Sequence, residues 1–407
     1  MTLAAAALAT VRMIETVMRE DRGRLVAALV AQFRDVQMAE DALQDAAASA
    51  MVHWGRAGLP QSPQAWLLKV ARGKAVDRLR QGRRARDHAA DMAILLPDEA
   101  SEAGEPEVIP DERLRLIFTC CHPALERKSQ VALTLRLIGG LTTPEIAAGF
   151  LDDPATIGQR ISRAKAKIAG AGIAFSVPGQ DLWPERLQAV LAVIYLIFNA
   201  GYTEGGKRDL CGEAIFLARM VDGLRPGEAE VEGCLALLLL TQARRAARTG
   251  PDGATVPPGE QDRRLWDPAM IAEGLTQIAR AMARGQPGPF QIKAAIAALH
   301  GQPGTTDWTA ILGLYDRLAD HEPTGVVHLN RAVAMAEAGM VDEAVAVTDA
   351  LGEDMQGYQP FHAARAFILG RAGRRDESLA AYDRAIAMAP SSADALFLTR
   401  RRQETAR

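Results

Sequence analysis

Apolar residues recur at helical spacing through almost every segment of this 407-residue chain, whereas the alternating pattern of strands and hairpin turns is absent. The pattern predicts an all-α fold. Because ~150 residues is a typical domain size, a chain of this length should contain two or three domains. The hydrophobic fraction of 48% provides enough apolar material for several cores.

The net charge of −3 hides a sharp change of sign between two neighbouring segments. Residues 69–86 contain eight Lys or Arg residues and one acid, whereas residues 87–110 contain seven acids and no Lys or Arg. A local basic field attracts a polyanion whatever the global balance, so the first segment predicts nucleic-acid binding. The second segment can bury little, and its composition predicts a flexible acidic linker.

The first block, residues 11–86, is predicted to form helices near 13–34, 36–54 and 63–84. The third helix is strongly basic. Its predicted DNA-binding residues are Lys69, Arg72, Lys74, Arg78 and Arg80. A solvated run of charge is the alternative interpretation of this helix taken alone.

The second helix of this block has an acidic face opposite an apolar one. Ala39, Leu43, Ala46 and Met51 are expected to pack inside, and the polar face includes Glu40 together with Asp41, Gln44 and Asp45. Acids beside a DNA-binding surface repel DNA, so this face is expected to meet a protein partner. Taken in isolation, a solvated acidic helix face is the preferred interpretation.

The second block, residues 111–172, contains a predicted helix-turn-helix. Thr142 or Thr143 can cap a helix with Pro144 in its first turn, and a second helix begins near Ala155. The second helix has an apolar stripe and a polar face without acids, as a recognition helix requires. Its predicted DNA-binding residues are Thr156, Gln159, Arg160, Arg163, Lys165 and Lys167.

Residues 180–407 form a predicted third, helical region that carries an internal repeat. The segment from Gly339 to Ala344 aligns with the segment from Gly373 to Ser378 at an offset of 34 residues. This period is typical of tetratricopeptide repeats, which we predict near residues 324–390.

Several motifs of the first two blocks resemble extracytoplasmic-function sigma factors of bacterial RNA polymerase. The second conserved region of that family is matched by residues 39–45, 63–67, 71–72 and 76–80. The helix-turn-helix block resembles the family's fourth region. Further motifs resemble the subgroup with a long tetratricopeptide-like extension, at residues 195–202, 261–263, 294–298, 306–308 and 329–334.

The resemblance implies roles for the predicted site residues. Asp41, Gln44 and Asp45 would contact the coiled-coil clamp of the largest polymerase subunit. The basic helix and the loop at residues 55–63 would recognise and open the minus-10 promoter element. The helix from Ala155 to Ile168 would read the minus-35 element, and the extension would regulate the sigma module. Gly73 departs from the Asn that many members carry.

Two other functions remain open on the sequence alone. The first is a helix-turn-helix regulator whose extension acts as a sensor or adaptor for an unknown protein or ligand. The second is an enzyme within residues 180–407 that uses carboxylates, the candidates being Glu204, Asp209, Glu213 and Asp262. Since no nucleophile-base pair, metal set or cofactor loop emerges, we expect neither an enzyme nor a cofactor.

The remaining sequence features predict a cytoplasmic protein. The apolar start of the chain lacks the basic segment of a signal peptide, and no apolar stretch is long enough for a membrane helix. The four cysteines show no disulfide or zinc spacing, and the adjacent Cys120 and Cys121 do not match a Cys-x-x-Cys site.

Overall fold

A computed structural model describes most of the chain, namely residues 3–86, 111–150, 152–203, 209–302 and 304–407. The regular elements of these residues are helices, and extended pairing is limited to one isolated bridge between Thr249 and Thr255. The predicted all-α fold is confirmed. The predicted acidic linker, residues 87–110, lies outside the described residues.

The chain divides into two compact units, Met1–Leu217 and Ala218–Arg407. The first unit begins with what we call the N-terminal block, which consists of α1 (Leu3–Glu20), α2 (Arg22–Phe33), α3 (Val36–Ala57) and α4 (Pro63–Arg86). The helix-turn-helix block follows, with α5 (Arg113–Cys120), α6 (Arg127–Leu137), α7 (Thr143–Gly149) and α8 (Pro154–Gly170).

The first helix expected from the sequence, near residues 13–34, is wrong in one respect, because two helices occupy this stretch. Asp21 separates α1 from α2, and its carboxylate accepts a hydrogen bond from the Gln64 side chain of α4 at 3.1 Å. The next two helices begin where they were predicted, at Val36 and Pro63.

The core of the N-terminal block lies between α2, α3 and α4. Leu29, Leu43 and Leu67 are fully buried there, and Trp54 packs edge-on against Trp66 with ring centroids 5.3 Å apart. Met51, which was expected inside, is 52% exposed, so that expectation is wrong. The apolar stripe of α3 continues instead through Ala50 and Trp54.

Two further helices follow the helix-turn-helix block, α9 (Trp183–Thr203) and α10 (Leu210–Leu224). Helix α9 covers α5 and α6. Its Arg186 donates a hydrogen bond to the Phe118 carbonyl at 2.7 Å, and the Trp183 and Phe118 rings lie 5.1 Å apart. The first helix after the helix-turn-helix is therefore part of that block's packing.

Successive helices of the second unit pack against one another. Its helices are α11 (Ala229–Gln242), α12 (Pro268–Ala283), α13 (Pro289–Gly301), α14 (Trp308–His321), α15 (Gly325–Glu337), α16 (Val341–Ala350), α17 (Gln359–Arg371), α18 (Arg375–Ala387) and α19 (Ser392–Ala406). The pair α15 and α16 recurs as α17 and α18 at the offset of 34 residues that the sequence repeat shows. Gly339 and Gly373 make the equivalent turns with positive φ angles of 94° and 72°.

Candidate nucleic-acid interface

Helices α7 and α8 form a helix-turn-helix whose two starts are fixed by side chains. The Thr142 hydroxyl accepts from the Glu145 backbone N–H at 3.4 Å, while the Glu145 carboxylate accepts from the Thr142 backbone N–H at 2.8 Å. The Asp153 carboxylate caps α8 by accepting from the Thr156 N–H at 3.1 Å. Of the two possible caps in the sequence, Thr142 is the one used.

The inward face of α8 determines which of its side chains reach solvent. Ile157, Ile161, Ala164 and Ile168 are all buried, as the apolar stripe predicts. The opposite face borders a shallow cleft of about 390 Å³ shared with Lys128 and Ser129 of the α6 start. Five predicted DNA-binding residues line this cleft: Thr156, Gln159, Arg160, Arg163 and Lys167.

An ion pair positions one of these five side chains. The Arg160 guanidinium donates to the Asp152 carboxylate at 2.8 Å, next to the start of α8. The hydrogen bond from Arg160 holds the pKa of the Asp152 carboxyl below its usual range. Arg160 is therefore held in place at the N-terminal half of the helix, where a recognition helix contacts base edges.

The sixth predicted residue, Lys165, lies apart from the others. It is nine positions beyond Thr156, which corresponds to half a turn on a helix, so it occupies the opposite side of α8. Its side chain is only 10% exposed and forms an ion pair with Glu40 of α3. In this conformation Lys165 binds the N-terminal block.

The basic residues of α4 divide between two directions. Lys69, Lys74 and Arg80 are exposed, whereas Arg72 and Arg78 are partly buried. Arg78 turns toward α3 and forms ion pairs with the Asp41 carboxylate at 3.0 Å and the Asp45 carboxylate at 2.7 Å. One predicted DNA-binding residue thus contacts two residues of the predicted polymerase-binding face.

The predicted polymerase-binding face remains accessible in spite of these ion pairs. The side chains of Asp41 and Asp45 are 37% and 42% exposed, and Gln44 between them is exposed as well. Exposed ion pairs of this kind contribute little to stability, so exchanging them for a partner costs little. Arg78 keeps the two carboxylates close together on the surface of α3.

Glu40, which the sequence placed on the polar face of α3, is buried instead, so that expectation is wrong. It is 3% exposed, and its carboxylate contacts Arg22 at 2.6 Å, Arg136 at 2.6 Å and Lys165. Burial alone would raise the pKa of Glu40, but the three cations outweigh it and hold that pKa below its ordinary value. The sequence contains only a weak indication of this burial. Glu40 borders the apolar stripe of α3, four residues after Val36 and three before Leu43.

Two candidate carboxylates of the enzyme alternative have structural roles, and a third, Glu213, lies in the first turn of α10. Asp262 caps a short 3-10 turn and is bonded to Arg264 at 2.8 Å. Asp209 accepts from the Gly212 N–H at 3.2 Å at the start of α10. Glu204 lies outside the described residues.

The cysteines are buried, and burial raises the pKa of Cys121 to about 12. Within the described ranges, no cluster of His, Cys, Asp and Glu is placed to hold a metal ion. No helix in that part of the chain combines the length and the apolar character that a membrane crossing needs.

The capping box of α7 gives a direct test of the helix-turn-helix start. Replacing Thr142 by Ala removes the acceptor for the Glu145 N–H and should cost the helix ~1 kcal/mol. Hydrogen exchange of the amides in Thr143–Gly149 should become roughly fivefold faster. Thr143→Ala is the matched control, since Thr143 is not the cap, and it should change exchange little. Equal exchange rates in the two variants contradict the assigned cap.

Comparisons with known proteins agree with this geometry. Residues 18–85, which contain α2, α3 and nearly all of α4, match the family described as Sigma-70 region 2. Residues 186–282 match a family of unknown function, DUF6596. An uncharacterized protein of Rhizobium meliloti is 42% identical over 391 residues, which cover 93% of this chain and 92% of that protein. The chain therefore belongs to the same family as this Rhizobium protein, and its N-terminal block contains a Sigma-70 region 2 domain, which supports a sigma-factor-like role in transcription initiation.

Proposed function

We propose that the protein is an RNA polymerase sigma factor that directs promoter-specific initiation and carries a fused regulatory extension. The observation that carries the proposal is the presence, in one compact unit, of a Sigma-70 region 2 domain and a helix-turn-helix with an acid-free polar face. A lone DNA-binding regulator has no need of the first of these. Their combination fits a subunit that contacts both polymerase and two promoter elements.

In this proposal α8 enters the major groove of the minus-35 element. Gln159 and Arg160 lie in the N-terminal half of the helix, where side chains can reach base edges. Arg163 lies just past its middle, and Lys167 lies further along, where phosphates are expected. Arg160 is suited to guanine because its guanidinium presents two parallel donors. The predicted contact of Lys165 with DNA stays a prediction, since Lys165 faces α3 here.

The basic helix α4 would contact the minus-10 element. Lys69, Lys74 and Arg80 offer exposed positive charge, while Arg72 and Arg78 lie deeper on the same helix. Neutralising phosphates supplies most of the affinity of such a surface and makes it sensitive to salt. The neighbouring face of α3, with Asp41, Gln44 and Asp45, would bind core polymerase.

Initiation by purified components tests this function. Core polymerase freed of other sigma factors should start transcripts at discrete sites on DNA from upstream of the protein's own gene only when the protein is added. A helix-turn-helix regulator, the alternative, would bind the same DNA yet leave core polymerase unable to initiate. Discrete transcripts that are the same with and without the protein would also exclude the sigma-factor function.

Replacing Asp41 and Gln44 together by Ala should weaken binding to core polymerase by about tenfold or more, because interfaces depend on a few central side chains. A fluorescence titration of labelled protein with core polymerase measures the effect. Glu20→Ala, which removes an exposed carboxylate of α1, is the control and should bind as the wild type does. Equal affinity of the double variant and the control would falsify the assigned polymerase face.

Replacing Arg160 and Lys167 separately distinguishes base reading from phosphate contact. Arg160→Ala should lose ~1 to 3 kcal/mol of binding at one base pair of the minus-35 element and relax preference there. Lys167→Ala should weaken binding evenly across sequences and reduce its salt dependence. Binding to a set of duplexes with single base changes separates these outcomes. The role of α8 is refuted if Arg160→Ala keeps both the preference and the affinity of the wild type.

The residues after the helix-turn-helix block are proposed to regulate it. Stacked helix pairs such as α15 to α18 present surfaces for partners, and a fused segment acts at high effective concentration. Because α9 covers α5 and α6, a test of this role must keep α9 and α10. Ending the chain after Leu224 should change the rate of initiation at least several-fold. An unchanged rate from the same promoters, with and without cell extract, would exclude the regulatory role.

A further inference from the structure

The buried carboxylate of Glu40 joins the two DNA-binding blocks of the first unit. One of its three cations, Arg22, belongs to the N-terminal block, as Glu40 itself does. The other two, Arg136 of α6 and Lys165 of α8, belong to the helix-turn-helix block. Arg22 also donates from Nε to the Arg136 carbonyl oxygen at 3.2 Å. The Glu40 carboxylate therefore forms both of these ion pairs between the blocks.

The backbones of the two blocks pack closely around this cluster. A Cβ atom at Gly23 of α2 would lie 3.1 Å from the carbonyl oxygen of Ile138, at the end of α6. A Cβ atom at Gly140, whose φ is +71°, would lie 2.9 Å from the Met18 carbonyl oxygen. Arg34 further donates to the Phe175 carbonyl at 3.2 Å. The contact is thus a packed interface in which glycines allow close approach.

A hydrogen-bonded chain leads from the cluster to the proposed polymerase-binding face. Lys165 donates to the side-chain oxygen of Gln37 at 3.1 Å, and the Gln37 amide donates to the Asp41 carboxylate at 2.8 Å. Glu40 and Asp41 are also neighbours in α3. A protein that binds Asp41 therefore acts one hydrogen bond away from the residue that holds Lys165.

The charge balance makes this contact suited to opening. Three cations around one carboxylate leave an excess of two positive charges in a buried site, where like charges repel strongly. When the blocks separate, the Arg22–Glu40 pair can remain together as a neutral unit, while Arg136 and Lys165 regain water. The cost of losing two ion pairs is thereby partly offset by hydration and by relief of repulsion.

We propose that Glu40 acts as a latch that keeps the N-terminal and helix-turn-helix blocks closed on each other, and that polymerase binding at the Asp41 to Asp45 face opens it. The proposal rests on the sigma-factor function above, which requires the two blocks to reach separate promoter elements. In the closed state, Lys165 ties α8 to α3 and fixes the position of α8 relative to α4. In the open state, each block can reach its own promoter element.

Energy transfer between two dyes on the full-length chain can test the latch. All four native cysteines are buried, so new cysteines at exposed positions can be labelled selectively, in α1 by Thr16→Cys and just after α8 by Ala171→Cys. Glu40→Gln removes the charge with little change of shape. Gly23→Val forces the backbones apart and keeps every charge, so it covers the case in which Glu40→Gln does not fold. Glu353→Gln, which removes a carboxylate from an exposed turn of the second unit, is the control.

Without polymerase, transfer efficiency should fall in Glu40→Gln and in Gly23→Val and stay at the wild-type value in the control. In the wild type it should fall when core polymerase is added. Both latch variants should bind core polymerase about fivefold or more tightly, since less of the protein is held in the closed state.

Three results would overturn the latch. The first is a transfer efficiency equal to that of the wild type in both latch variants when they are folded. The second is a lower transfer efficiency in these variants with unchanged affinity for core polymerase, which would show that the contact has only a structural role. The third is transfer in the wild type that does not respond to bound polymerase. Failure of the sigma-factor function has another signature, because the wild type and every variant would then fail to bind core polymerase at all.

Discussion

The organisation of the first unit depends on one buried carboxylate. Glu40 is 3% exposed, and its charge is retained there because cations from α2, α6 and α8 surround it. An ionised carboxylate in such a site without a cation beside it would be strongly destabilising, so Glu40 needs at least one of these partners. Two blocks that are separate in sequence are brought together by this requirement, and the exposed surfaces of α3, α4 and α8 are placed by it.

Local sequence patterns were sufficient to predict the helices that carry the candidate sites. The starts of α3 and α4 and the apolar stripe of α8 agree with the structure, because capping residues and helical spacing are properties of neighbouring residues. The break at Asp21 was missed because the apolar spacing continues from α1 into α2, and the bond between Asp21 and the distant Gln64 cannot be read from local pattern. Met51 was placed inside by spacing, yet the buried stripe of α3 runs through Ala50 and Trp54.

Partners on different helices could not be predicted in the same way. The sequence shows that Arg78 is basic and that Asp41 and Asp45 are acidic, but their pairing requires the packing of α3 on α4. Lys165 was grouped with the other basic residues of α8 by charge, although its position half a turn from Thr156 separates it from them. The sign of a charge therefore does not show which way a side chain faces. Its angular position around the helix is the better predictor of that direction.

Both blocks of the first unit are proposed to engage promoter DNA at separate places, and the closed arrangement around Glu40 must open to permit this. The most direct measurement is a hydroxyl-radical footprint of the protein with core polymerase on a promoter that it transcribes. Two separate protected segments upstream of the start site are predicted, with α8 variants losing only the distal one. A single protected segment that is the same with and without core polymerase would contradict the account.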